Sequence, residues 1–158
     1  MRWYKFSMVL AIGLLLELIV AAFSCLLIKE NGEWLASLIL PYFAPRSLVF
    51  YGALAETIYL SSAVSLACYA ENKRDIPKGI LLTASEGVAE IVTLLFFFKF
   101  TYEITSFFLA TLTMLLSLFV TASFLARKST AGVARIPAFI AHLYFWMVIY
   151  CILTLNFL

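Results

Sequence analysis

The chain has 158 residues, 65% of them hydrophobic and only 13% charged, with a mean hydropathy of +1.04. Soluble domains are roughly half apolar and a quarter charged, so this composition excludes a water-soluble fold. The net charge is +2, from 11 Lys and Arg against 9 Asp and Glu, and no Lys/Arg run forms the basic stripe of a nucleic-acid reader, which excludes nucleic acid as a partner.

The first apolar run, Ser7–Ile28, follows the basic start MRWYK. It is too long for a secretory h-region of roughly 7–15 residues and matches the roughly 20 residues that cross a bilayer. Ala22-Phe23-Ser24-Cys25 is a poor lipoprotein box, because Phe23 stands where a small residue is needed. The link that follows, KENGEWLASLILPYFAPR, is the longest. Within it, Asn31 to Leu38 predicts a short interfacial helix, and Pro41 and Pro45 then impose an extended path that places the segment over the mouth of a bundle. Further spans are predicted at Ser47–Tyr69, Gly79–Phe98, Ile104–Ala126 and Ile136–Leu158, each bounded by charge, Pro or Gly.

The expected fold is therefore all-α: a five-transmembrane-helix bundle, one domain over residues 1–158, embedded in the lipid bilayer as a multi-pass protein. The links AENKRDIPK, KFTYE and RKSTAGVAR are too short to hold a second domain. Arg2, Lys5, Lys73, Arg74, Lys78, Arg127, Lys128 and Arg135 fall on one side and Lys29, Arg46 and Lys99 on the other, 8 against 3, which predicts a cytoplasmic N-terminus and an outside C-terminus. Trp3, Tyr4, Trp34, Tyr42, Tyr69 and Tyr102 fall near span ends as an aromatic belt. Cys25, Cys68 and Cys151 lie far apart in apolar stretches, with no CxxC spacing, and read as small core residues.

Glu17, Glu56, Glu86 and Glu90 each lie well inside a span, near mid-membrane. A carboxyl there costs roughly 2.5–3.5 kcal/mol on insertion scales, so all four are expected to face the bundle interior or a wet cavity. Glu86 and Glu90, at i and i+4, share one helix face. Two ionised carboxylates would repel, and with few cations nearby at least one is expected to hold a proton. The plainer role is that of polar glue between helices. His142, the only histidine, lies early in the fifth span and reads as a polar contact or as a titrating, ligand-contacting group. Glu17, Glu56 and His142 together define a possible polar or proton path.

Signatures of catalysis are missing: no Glu-x-x-His repeat for a carboxylate-bridged metal, no Gly-x-Ser-x-Gly elbow, no His-Glu-x-x-His and no phosphate-binding Gly loop. The expectation is a non-enzyme with no metal site and no required cofactor. On the second span, Ser61/Ser65 and Ala63/Ala67 repeat at four-residue spacing, which suits close packing within the bundle or a homodimer seam.

Two blocks carry a family resemblance. WLASLILPYFAPRSLVF, Trp34 to Phe50, resembles the Trp- and Pro-spaced segment that leads into the second helix of the TspO/MBR proteins, the tryptophan-rich sensory and translocator proteins. STAGVARIPAFIAHLYFWMVIYCILTLN, Ser129 to Asn156, is similar to that family's A-G-x-x-x-x-P-Y fifth helix ending in Asn. If Phe97-Phe98 is the family's Phe-Phe pair, Glu86 and Glu90 occupy its Gln and Asn positions. The resemblance implies a pocket among five helices, closed by the first loop, that binds porphyrin, haem-like or sterol-like molecules. It implies ligand contacts from Trp34, Phe43, Pro45, Glu86, Glu90, Ala141 and Trp146.

This chain departs from the pattern at several points. Arg46 replaces the second Pro, Leu48 the following Trp, Tyr51-Gly52-Ala53-Leu54 the Gly-Pro-x-Trp stretch, and Ser61-Ser62 the Met-Gly. Ala141 falls near a family Trp position and Ile149 near a family Asn. Those losses imply a divergent member with a changed ligand and without Trp-dependent chemistry. Two functions are expected of such a chain: sensing, sequestration or transfer of a hydrophobic small molecule, or proton-coupled transport through the intramembrane glutamates.

Overall fold

The computed structural model describes residues 3–70 and 75–157. Arg2, Lys73, Arg74 and Leu158, which entered the expected charge asymmetry and span ends, lie outside the described residues. Every regular element in the described residues is helical: α1 (Trp3–Glu30), α2 (Gly32–Ser37), α3 (Leu48–Tyr69), α4 (Ile76–Leu94) continued by a π-helical turn (Leu95–Lys99), α5 (Glu103–Arg127) and α6 (Ser129–Asn156).

Among the described residues, four helical segments are long and apolar enough to cross a membrane: Trp3–Leu27, Ile76–Lys99, Glu103–Arg127 and Ser129–Asn156. The fifth long helix, α3, has 22 residues but carries Glu56, Thr57, Ser61, Ser62 and Ser65. The short helix expected within Asn31–Leu38 is α2.

The side-chain distribution is inverted relative to a soluble protein. Leu14, Leu15, Leu18, Phe23, Phe108, Leu112, Phe119, Ile140 and Met147 face outward, whereas Ser62, Ser65, Thr83, Glu86, Thr93, Ser106, Ser117, Thr121, Arg135 and His142 are buried. Contiguous apolar surface on this scale marks an integral membrane protein, whose exterior is solvated by lipid.

The long helices close into a ring in the order α1, α3, α6, α5, α4, with α4 returning to α1. Each therefore presents one face to a shared interior. Close approach is made by small residues: a Cβ added to Gly13 would stand 3.1 Å from the Ala63 Cα, and one on Gly132 would stand 2.5 Å from the Leu125 Cα. The small residues of α3 thus serve seams within this chain. Ala63 meets α1, and Ser61 donates to the Ala134 carbonyl and accepts from the Ala138 N–H of α6. Ser61 does so beside Pro137, which lacks an N–H and interrupts the helical ladder; a hydroxyl from a neighbouring helix satisfies the backbone there.

Two expectations are corrected here. The fifth span begins at Ser129, not near Ile136, because only Lys128 separates α5 from α6. Arg135, assigned to a loop and to the charge asymmetry, therefore lies in the second turn of α6, wholly buried, and leaves seven of the eight cations counted for that side in the sequence. The cysteines are not core residues: Cys25 faces outward, and Cys68 and Cys151 are only half-buried.

Apolar clusters fill the two ends of the ring. One gathers Val9, Leu66, Ala67, Tyr69, Phe124 and Ala131. The other gathers Leu27, Leu38, Ala44, Phe97, Phe98 and Ile152 beneath the first loop. Between them the interior is polar.

Candidate functional site

The polar layer is assembled from all five long helices. On α4, Glu86 and Glu90 point inward one turn apart, on the same face as Thr83, Gly87 and Thr93. On α6, Arg135 and His142 are seven residues apart, two turns on one face, and parallel α4 brings each against a glutamate. Arg135 is in ion-pair contact with Glu86. His142 stands between the two acids: its Nδ1 is 3.6 Å from Glu86 Oε1 and its Nε2 is 3.6 Å from Glu90 Oε2.

The remaining helices complete this ring of groups. Tyr59 of α3 donates its hydroxyl to Glu90 Oε1 at 3.1 Å and lies 3.3 Å from the Ser24 hydroxyl of α1. Ser65 accepts from Arg135 at 3.4 Å, and the Ser117 hydroxyl of α5 lies 3.3 Å from His142 Nδ1. Glu17 of α1 is hydrogen-bonded by Ser62 and lies within electrostatic reach of Glu90, Arg135 and His142. The Arg135 guanidinium carbon also sits 5.6 Å from the centre of the Phe124 ring, which stacks on Tyr69 at 4.3 Å.

The layer is not fully satisfied. Among the described residues, no hydrogen-bond partner is present for Arg135 Nε, His142 Nε2, or the hydroxyls of Thr83 and Thr121. Buried polar atoms are nearly always paired, and each orphan costs about 1–3 kcal/mol. Such groups persist in a core when another partner takes them up or when they perform a task.

Above this layer, toward the first loop, Thr93 and Thr113 share a hydrogen bond of 2.9 Å. Next comes an aromatic tier. Phe97 lies seven residues past Glu90, about 10 Å along the helix. The π-helical turn lets consecutive residues Phe97 and Phe98 both face inward, where Trp34 meets them edge-on at 5.1 and 6.2 Å. Phe43 packs edge-on with Tyr144 at 6.2 Å, and Trp146 donates its indole N–H to Thr111 at 2.8 Å.

The first loop is latched to α6 twice. Asn156 accepts from the Ile39 N–H at 2.8 Å and donates to the Ile39 carbonyl at 2.9 Å, so one side chain closes both backbone groups. Tyr144 donates to the Phe43 carbonyl at 2.9 Å.

The structure thus brings together Glu17, Glu86, Glu90 and His142 in one layer, and Trp34, Phe43 and Trp146 in the cluster under the loop. Ala141 is buried between them against α3, with Tyr59 and Ile58. Pro45 is half-buried in the loop. Glu56 does not join the site: it faces outward with Gly52, Ala53, Thr57, Leu60 and Val64, on the side of α3 opposite the buried Ser65. The expected shortage of cations beside Glu86 is also corrected, since Arg135 is there. Sequence reasoning missed Arg135, Tyr59, Ser65 and Ser117. The signal available for Arg135 was its two-turn spacing from His142.

A scan of protein-family models and a search of curated proteins each find nothing that matches this chain.

Proposed function

We propose that the protein spans the membrane five times, with α3 as the fifth span and the N-terminus cytoplasmic, and binds a hydrophobic ring-shaped molecule of the tetrapyrrole or sterol class. The ligand lies between the aromatic tier and the charged layer, under the latched first loop, and is held for sensing, sequestration or transfer. One observation carries this reading: an aromatic tier of Trp34, Phe97 and Phe98 stands about two helical turns from a buried layer with unsatisfied polar atoms. Sites for small hydrophobic molecules combine apolar walls with a few convergent polar groups in this way. The resemblance of Trp34–Phe50 and Ser129–Asn156 to TspO/MBR proteins supports the same reading.

The test is absorbance titration of the purified, detergent-solubilised protein with haem and with protoporphyrin. Saturable binding is expected, weakened about tenfold by Glu90→Gln, in line with about 1.4 kcal/mol for one lost hydrogen bond to a charged group. Absence of saturation, or affinities untouched by both Glu90→Gln and Glu86→Gln, overturns the assignment.

The convergence of Glu17, Glu86, Glu90 and His142 favours a second reading, proton-coupled transport, since clustered intramembrane acids and histidines serve as proton relays. In reconstituted vesicles holding a pH-sensitive dye, ligand-dependent proton flux selects transport. Ligand binding with a flat dye signal selects binding alone.

A further inference from the structure

In the ring α5 stands between α4 and α6, yet two pairs of side chains join α4 to α6 across the interior. Arg135 reaches Glu86, and His142, two turns further along α6, reaches Glu90. The first link is permanent, because a guanidinium keeps its proton throughout the physiological range. The second pairs an imidazole with a carboxyl, and its state depends on where a proton lies.

Packing decides which ring nitrogen carries hydrogen. His142 Nδ1 lies 2.9 Å from the Ala138 carbonyl oxygen, which can only accept, so Nδ1 bears a hydrogen and donates it there. The Ser117 hydroxyl of α5 lies 3.3 Å from the same nitrogen and is placed to accept as well. In the neutral ring Nε2 is then the bare nitrogen. It is buried, has no hydrogen-bond partner among the described residues, and faces Glu90 Oε2 at 3.6 Å. The other oxygen of that carboxyl already accepts from the Tyr59 hydroxyl at 3.1 Å. With no further proton, lone pairs of Nε2 and Oε2 confront each other in a medium of low dielectric constant, and Nε2 stays unsatisfied.

We propose that the gap between His142 Nε2 and Glu90 Oε2 is a binding site for one exchangeable proton, which links α4 to α6 while bound. The proton is bonded to one of the two atoms and hydrogen-bonded by the other. Either way the pair has no net charge, as imidazolium with carboxylate or as imidazole with carboxylic acid. Departure of the proton to solvent leaves imidazole and carboxylate, one negative charge in all. The proton thus belongs to the pair and not to either residue. Titratable or charged groups face the pair from four helices: Glu17 of α1, Tyr59 of α3, Glu86 of α4 and Arg135 of α6. From α5 comes the Ser117 hydroxyl, which does not titrate. Because Nδ1 is committed to Ala138, the ring does not pass protons between Glu86 and Glu90, and exchange runs through Nε2 alone. The site stands on the packing of α4, α5 and α6; it needs no ligand and goes beyond both readings above.

His142 is the only histidine, so isotopic labelling of histidine nitrogen gives one pair of ring signals. The whole chain, without a polyhistidine tag, is followed by nitrogen NMR in non-ionic micelles from about pH 5 to about pH 9, where imidazoles titrate. Nδ1 is expected to keep the shift of a proton-bearing nitrogen throughout. Nε2 alone is expected to move, reaching the shift of a bare nitrogen at the alkaline end. In Glu90→Gln the amide N–H takes the place of the proton, and Nε2 is expected to stay bare over the whole range. Ser117→Ala is expected to keep the parent pattern, since the Ala138 carbonyl still holds Nδ1.

A neutral ring with its hydrogen on Nε2 overturns the proposal, and so does an Nε2 shift that ignores pH. A Glu90→Gln response identical to that of the parent assigns the proton to His142 alone and overturns it as well. The parent spectrum decides the first two outcomes by itself, so the test stands even where Glu90→Gln fails to fold.

Discussion

Replacing Arg135 by leucine is expected to lower the stability of the solubilised protein by about 3–5 kcal/mol, and adding Glu86→Leu to the same chain is expected to restore most of the loss. The reason lies in the asymmetry of buried ion pairs. Taking two charges out of water costs several kcal/mol for each ion, and their mutual attraction roughly repays this only while both are present. Arg135 is wholly buried in α6 and its partner Glu86 is nearly so in α4. Removing the cation alone leaves Glu86 facing His142 and the field of Glu90 without its guanidinium partner. Removing both leaves an apolar contact between two helices that are solvated outside by lipid. Thermal unfolding followed by helical circular dichroism in one detergent separates the outcomes. A double variant no more stable than Arg135→Leu means that the pair is not the source of the loss. In that case the cost resides in the guanidinium's packing on Phe124 and its contact with Ser65.

The second large effect is steric. Gly132→Ala is expected to destabilise by about 1–3 kcal/mol, while Gly52→Ala is expected to be neutral or stabilising by up to about 1 kcal/mol. A Cβ on Gly132 would meet Leu125 at 2.5 Å from its Cα and 2.1 Å from its Cγ, so both the α5 backbone and a branched side chain must move. That contact sits just past the single-residue link at Lys128, where α5 and α6 have no slack to separate. Gly52, by contrast, is exposed on α3 with nothing within 4 Å of an added Cβ, so only helix propensity changes. Measuring both variants in the same detergent cancels differences in the unfolded reference. Equal melting temperatures for the two would show that α5 and α6 accommodate the methyl group without strain.

What the sequence disclosed and what it hid follow from the geometry of helices. Depth in the membrane depends on position along a span, and position along a span is legible: Glu17, Glu86 and Glu90 were all expected inside and all are buried. Azimuth depends on which neighbours surround a helix, and that is a property of the ring. Glu56 lies as deep as the others yet faces outward, because α3 turns Tyr59, Ser62 and Ser65 toward the interior and Glu56 away from it. Arg135 was hidden for a different reason. Charge was read as the end of a span, and a charge neutralised by a partner on another helix ends nothing. Glu86 is 49 residues earlier in the chain (135 − 86) and makes Arg135 admissible in α6. The aromatic tier was partly legible through Trp34 and the Phe97-Phe98 pair. That both phenylalanines turn inward follows from the π-helical turn, for which no proline or glycine gave notice.

The clamp of Asn156 on Ile39 bears on the order in which the molecule is made. The two residues are 117 positions apart. As the chain emerges from a ribosome, the first loop appears once α1 is complete, while the side chain that fastens it appears only with the final turn of α6. Tyr144, the other fastening, comes only three turns earlier on the same helix. Until α6 has inserted, Trp34 has nothing from α6 to hold its loop over Phe97 and Phe98, and α1, α3, α4 and α5 form an arc that is open where α6 will stand. The ring and its cover are thus completed by one event, insertion of α6.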